Sequence, residues 1–268
     1  MSIISSYLRV HGVKIYCETN NGPASNGTIV CFGSAGRDTR QFHGVMDSLK
    51  DDFEVIAFDM PGHGKSWPLK ENKAIAEYHE YGDFIIDTVA ELRVKNPIYV
   101  GFALGGNMVF YLAQKQQVRA IVAMAGADYT PTVHSSVAEL LNNPYCSVQY
   151  SHLDFTDSLI GSETSQKDRE FILWGVCSET GITKVADYAG VYNNFDVRDA
   201  MKTIQCPVLM LRGEEDWTVT DNKFEAVIGR LSNAKKVVRK TFPGLSHFNP
   251  QESPGMVTDA IRDFLADC

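Results

Sequence analysis

Six short apolar runs, each stopped by turn residues, constrain this chain more than any other feature. They are "TIVCFG" (28–33), "FEVIAFDMPG" (53–62), "PIYVGF" (97–102), "VRAIVAMAG" (118–126), "CPVLMLRG" (206–213) and "KKVVRKTFPG" (235–244). Near-continuous apolarity over about five residues is what a strand buried on both faces requires. Helical spacing lies between several of them. In residues 75–92, Tyr78, Tyr81, Ile85, Val89 and Leu92 fall near one face, and 106–116 and 256–268 also read as helices, the last amphipathic. Strands alternating with helices predict an α/β fold whose mostly parallel sheet is covered on both faces. The opening residues, "MSIISSYLRVHGVKIY", alternate like a further strand.

Residues 130–200 break the rhythm. They are polar, carry the aromatics Tyr145, Tyr150, Phe155, Phe171, Trp174, Tyr188, Tyr192 and Phe195, and contain no convincing strand. The expected organisation is a core of 1–129 and 201–268, with 130–200 forming a helical cap across one end of the sheet. Aromatics in such a position suggest an enclosed, largely apolar pocket, with Trp174 as a substrate-binding wall.

Composition excludes several function classes. No stretch approaches the roughly 18–20 apolar residues of a membrane helix. The formal net charge of −8 argues against a nucleic-acid surface, which needs clustered Lys and Arg. No apolar block follows the initial Met as in a signal peptide, so a cytoplasmic location is expected. The six cysteines form no CxxC pair and no zinc spacing with histidine, and are expected to be buried free thiols. No metal and no cofactor are expected; oligomeric state is not readable.

The segment "YVGFALGGNM" (99–108) ends a strand with Gly-x-Ala-x-Gly and opens a helix. A tight strand-to-helix turn lifts its middle side chain above the sheet and leaves no room for Cβ atoms on its neighbours. The following helix aims its positive end at that point. The middle residue is Ala103, which cannot act as a nucleophile. Three other segments accompany the turn: "FDMPGHGKS" (58–66) has the form D-x-x-G-x-G-x-S, "CFGSAGRD" (31–38) places a glycine-rich loop after an early strand, and "FPGLSHFNPQESPGMVTDAIRDFL" (242–265) places His247 between the last strand and the closing helix.

Together these segments resemble the α/β-hydrolase fold family over nearly the whole chain. The resemblance implies that His247 is the general base, a role suited to a group titrating near neutrality. It implies an acid on "LRGEEDWTV" (211–219), which points to Asp216. Asp128, after the preceding strand, is the alternative, and Glu214 and Glu215 lie beside the first. Backbone N–H groups of Ser34 and Leu104 are the implied oxyanion donors, with Gly33 beside the bound substrate. The chain departs from the family at Phe32, where a histidine often precedes the glycine, and at Ala103, where the nucleophile stands. His63 belongs to the "PGHG" turn and is expected to be structural.

With every other part present, Ala103 reads as a serine-to-alanine replacement in a carboxylic ester or lactone hydrolase. A non-catalytic receptor or pseudo-enzyme on the same fold, and a cofactor-independent oxygenase or lyase, are the alternatives. The chain length, "VIAFDMPGHGKS" and the insertion also look similar to α/β-hydrolase-fold lactonases of the acyl-homoserine lactone and zearalenone types. A small-molecule ester or lactone is the expected ligand.

Overall fold

A computed structural model describes residues 3–130 and 148–268. Eight strands make one sheet: β1 (Ile4–Val10), β2 (Val13–Thr19), β3 (Thr28–Phe32), β4 (Glu54–Phe58), β5 (Ile98–Phe102), β6 (Ala120–Met124), β7 (Val208–Gly213) and β8 (Val237–Phe242). Their order is β1-β2-β4-β3-β5-β6-β7-β8. The pairs β1–β2 and β2–β4 are antiparallel, and every other neighbouring pair is parallel. The opening segment is therefore a hairpin rather than one strand. His11 (φ 50°) and Gly12 (φ 82°) both take the left-handed backbone that a two-residue hairpin turn needs.

The central strands are buried along their length, as their unbroken apolar runs require. Successive residues serve opposite faces. Val30, Tyr99, Ile121 and Met210 join a core cluster with α2 (Tyr78–Glu91) and α3 (Leu104–Lys115). Ile29, Val100, Val122 and Leu209 join another with α1 (His43–Ser48) and the closing helix Pro254–Ala266. Strand β8 is an edge, and its exposed Arg239 and Lys240 suit a position where pairing with another chain must be discouraged.

Between β6 and β7 the chain makes α4 (Val148–Asp157), α5 (Gln166–Trp174) and α6 (Gly181–Val185), the last running into a π-helical turn, Ala186–Tyr192. Among the described residues of this insertion there is no strand, only an isolated bridge between Tyr129 and Asp196. That bridge and the bond from Thr130 N to Phe195 O (2.9 Å) bring the two ends of the insertion together. Three more helices follow: α7 (Asp221–Arg230), the short α8 (Asn249–Glu252) and α9, the closing Pro254–Ala266. Among the described residues no helix is long and apolar enough to cross a membrane. Tyr145, Cys146 and His134 lie outside the described residues. Cys17 and Cys31 are buried free thiols as expected, but Cys177 is exposed and Cys206 and Cys268 are half-buried.

Candidate active site

The turn after β5 is built by close backbone approach. A Cβ on Gly101 would lie 2.0 Å from Gly105 O, and one on Gly105 would lie 2.3 Å from Phe32 O. Neither carbonyl can yield without breaking the strand packing. Ala103 sits between them at φ 53°, ψ −111°. An L-residue on that left-handed side costs about 1 kcal/mol or more, and the surrounding fold holds it there. Ala103 N donates to Met124 O at 2.9 Å and Ala103 O accepts from Asn107 N at 3.0 Å. Leu104 begins α3, so its N–H is one of those a helix leaves without an internal acceptor.

His247 follows β8 and Asp216 follows β7, and adjacent parallel strands bring the two loops together. His247 Nδ1 lies 3.0 Å from Asp216 Oδ2. The other carboxylate oxygen is fixed by Thr218, whose N–H (2.8 Å) and hydroxyl (2.6 Å) both donate to Asp216 Oδ1. A carboxylate only accepts, so Nδ1 carries a proton, and in the neutral ring the lone pair is the one on Nε2. Burial pushes the Asp216 carboxyl upward. His247 and the Thr218 bonds outweigh burial and hold it at about 2. Asp128, the alternative acid, does not meet His247. It is fully buried and held bidentately by Arg230, Nε at 2.5 Å and Nη2 at 2.9 Å. Glu215 bonds Ser162, and no contact joins Glu214 or Glu215 to His247 among the bonds of the described residues.

A cavity of about 200 Å³ opens where these loops meet the insertion. Ala103, Leu104, Ser34 and His247 line it with Arg37, Thr130, His152, Phe155, Tyr188, Tyr192, Trp217, Thr218 and Lys223. Two expected wall residues are absent from it. Trp174 is 54% exposed and lies outside, its ring under the Arg40 guanidinium (4.3 Å). It faces a separate surface groove with Arg40 and Gln251. Gly33 is not among the residues that line it, and the Gln41 amide stands where its Cβ would be. The aromatic walls are instead Phe155, Tyr188, Tyr192, Trp217 and Phe248.

The loop 33–38 is tied to the insertion by contacts that no local pattern announces. Asp187 Oδ2 accepts from Gly36 N (2.7 Å) and from His63 Nε2 (2.7 Å). His63 Nδ1 faces Pro61 O at 3.1 Å. Both ring nitrogens meet acceptors, so His63 is an imidazolium paired with Asp187. Burial pushes its pKa down, and the Asp187 charge and bond outweigh burial and raise it. Next to it, Arg37 donates to Ile172 O (2.9 Å) and Thr156 Oγ1 (3.2 Å) and pairs with Glu179 (2.6 Å). Glu179 is shared with His152 (2.6 Å) and Lys184 (3.0 Å). His63 is thus structural as expected, but through a partner 124 residues away.

Asp59, first in the D-x-x-G-x-G-x-S segment, organises its own turn. Its carboxylate accepts from Thr39 N (2.7 Å) and Lys65 N (2.9 Å). Among the described residues, no group of three or more His, Cys, Asp or Glu is placed to hold a metal ion.

A mostly parallel sheet, a glycine-bounded elbow after β5 and a histidine–aspartate pair on the loops after β8 and β7 define an α/β protein of hydrolase type. The family model described as "alpha/beta hydrolase fold" matches residues 27–248, and the chain belongs to that family. It is 24% identical over 267 residues to an uncharacterized hydrolase of Bacillus subtilis (strain 168), YugF, covering 96% of each chain. Among solved structures it is similar to the enol-lactonase from Burkholderia xenovorans LB400, with TM-score 0.82 and 18% identity, covering 97% of this chain and 100% of that one. It is also similar to the esterase EaEST from Exiguobacterium antarcticum, with TM-score 0.84 and 15% identity, covering 98% and 100%.

Proposed function

We propose that this chain carries the binding and proton-transfer apparatus of a carboxylic ester or lactone hydrolase, with alanine in the place of its nucleophile. One observation supports this above the others: Ala103, Leu104, Ser34 and the Asp216-oriented His247 share a single cavity wall. A substrate carbonyl over Ala103 would direct its oxygen to the N–H groups of Leu104 and Ser34. Two such donors aimed at a developing oxyanion supply several kcal/mol in a site shielded from water. A serine at 103 would attack the carbonyl carbon while His247 Nε2 takes its proton. Asp216 would hold the imidazole tautomer and stabilise the imidazolium. The leaving oxygen would take that proton, and His247 would then activate water to release the acyl group. The described part of the insertion, which lends His152, Phe155, Tyr188 and Tyr192 to the wall, would act as a cap over the cavity. As the chain stands, the Ala103 methyl performs none of these bond changes, and ester or lactone is bound without being cleaved.

The experiment is Ala103→Ser. The variant should hydrolyse p-nitrophenyl acetate or members of a lactone panel well above the parent chain. A folded variant with no gain on any of them removes this reading. Ala103 itself favours a second reading, a ligand receptor on the same scaffold. That reading wins if the preferred ligand has no cleavable carbonyl over Ala103.

A further inference from the structure

The cavity wall is chemically one-sided. Its ionisable side chains, apart from the two tyrosines, are Arg37, His152, Lys223 and His247, and no Asp or Glu lines it among the described residues. This is unexpected in a chain with 33 acidic residues against 25 Lys and Arg. Two different arrangements lie behind it. At one end Arg37 is consumed by the fold, since its guanidinium nitrogens are taken by Glu179, Ile172 O and Thr156. Yet Glu179 is one carboxylate facing both Arg37 and Lys184, so that end retains an excess of positive charge.

Lys223, on the first turn of α7, is different. No carboxylate lies within 4 Å of its ammonium among the described residues, and its hydrogen bond is a long one, 3.5 Å to Thr218 O. The acids whose charge it feels, Asp216 and Asp128, are each already paired, with His247 and with Arg230. Burial depresses its pKa, as for a cation partly removed from water. Among the described residues this half-buried ammonium on the cavity wall has no counter-ion, only the Tyr129 ring at 5.8 Å, which carries no charge, and the arrangement is incomplete. An anionic ligand completes it.

We propose that the cavity is selective for a substrate bearing a carboxylate, which sits on Lys223 while the ester or lactone carbonyl faces Ala103. This deepens the hydrolase reading and rests on it for the position of the carbonyl. The carboxylate stays intact: Lys223 neither gives up nor takes a proton, and only the carbonyl end would react. The volume, about 200 Å³, suits a short acyl compound with both groups.

The test uses the chain as it stands, with Ala103. Calorimetry compares the monomethyl esters of glutarate and adipate with the matching dimethyl esters, at low and at raised salt. The half esters should bind roughly tenfold or more tightly, as for a charge-assisted bond in a partly desolvated site. Added salt should narrow the ratio. Lys223→Met should bring it near one, and Lys223→Arg should restore part of it. Circular dichroism and melting curves check that both variants are folded. Equal binding of half ester and diester, a preference that survives Lys223→Met, or no binding of any half ester overturns the proposal.

The hydrolase reading fails separately. If Ala103→Ser cleaves p-nitrophenyl acetate and yet no charge preference exists, the hydrolase stands and the carboxylate site falls. If Ala103→Ser cleaves nothing while half esters still bind through Lys223, the carboxylate site stands and the hydrolase falls.

Discussion

Replacing Asp187 by asparagine isolates a charge without reshaping its surroundings. Both bonds to Asp187, from His63 Nε2 and Gly36 N, end on the same oxygen, Oδ2. An asparagine presenting its carbonyl oxygen at that point keeps both contacts in neutral form. The pair is deeply buried, His63 4% and Asp187 1% exposed. Removing one partner of such a pair costs about 3–5 kcal/mol, and a retained neutral hydrogen bond offsets about 1 kcal/mol. The expected loss is therefore about 2–4 kcal/mol while His63 is charged.

The sign with pH follows from the raised His63 pKa. The contribution of the pair is complete below about pH 6.5 and is lost as pH rises through the folded-state value. In the variant the imidazole has no counter-charge, and protonating it opposes folding. The stability difference between parent and variant should thus be largest in acid. Urea unfolding at about pH 6 and about pH 9, with slopes compared to check two-state behaviour, measures it. A loss that is equal at both values, or larger at the higher one, refutes the reasoning.

In an Ala103→Ser background, Asp216→Asn should lower kcat by roughly 10³–10⁴-fold with the fold intact. Asp128→Asn should chiefly destabilise, because it loosens the bidentate Arg230 pair, and steady-state kinetics beside melting curves separate the two. Gly105→Ala should cost about 3 kcal/mol or prevent folding, since its Cβ would stand 2.3 Å from the Phe32 carbonyl; soluble yield and denaturant midpoint read this. Asp216 is held at about 2 against an ordinary 3.8. Its share of stability, about 2 kcal/mol, is present above pH 4 and lost as pH falls through about 2. Acid titration of parent and Asp216→Asn should show that slope only in the parent.

The sheet and the His247–Asp216 pair were legible because their signals are local. Five-residue apolar runs mark the buried strands, and an acid or histidine just beyond a strand is carried by that strand to the same end of the sheet. The glycine spacing marked the elbow for the same reason. What failed depended on partners far apart in sequence. Trp174 was expected to face inward with the other aromatics of the insertion, but Arg40 holds it outside. Asp216 was preferred to Asp128 from its loop alone, but the partner that occupies Asp128 instead, Arg230, lies 102 residues away and was not foreseen. Nothing near Arg37 announces Glu179, Ile172 or Thr156, and nothing near Lys223 shows that no carboxylate of the described residues reaches it. The one available hint was the D-x-T spacing of Asp216 and Thr218, a side chain placed to be fixed by the backbone two residues on.

The ties between loop 33–38 and the insertion bear on how this protein fails when heated. Gly36 hangs from Asp187, and Arg37 from Ile172, Thr156 and Glu179, so the segment that carries Ser34 borrows its rigidity from helices outside the sheet. Among the described side chains, those helices bury fewer apolar groups than the central strands do. Warming therefore blurs the donor before it melts the scaffold. The temperature at which ligand is released then lies below the temperature at which the sheet unfolds. Core-filling substitutions raise the second temperature and leave the first behind, whereas a crosslink between the insertion and this loop lengthens the working life of the site.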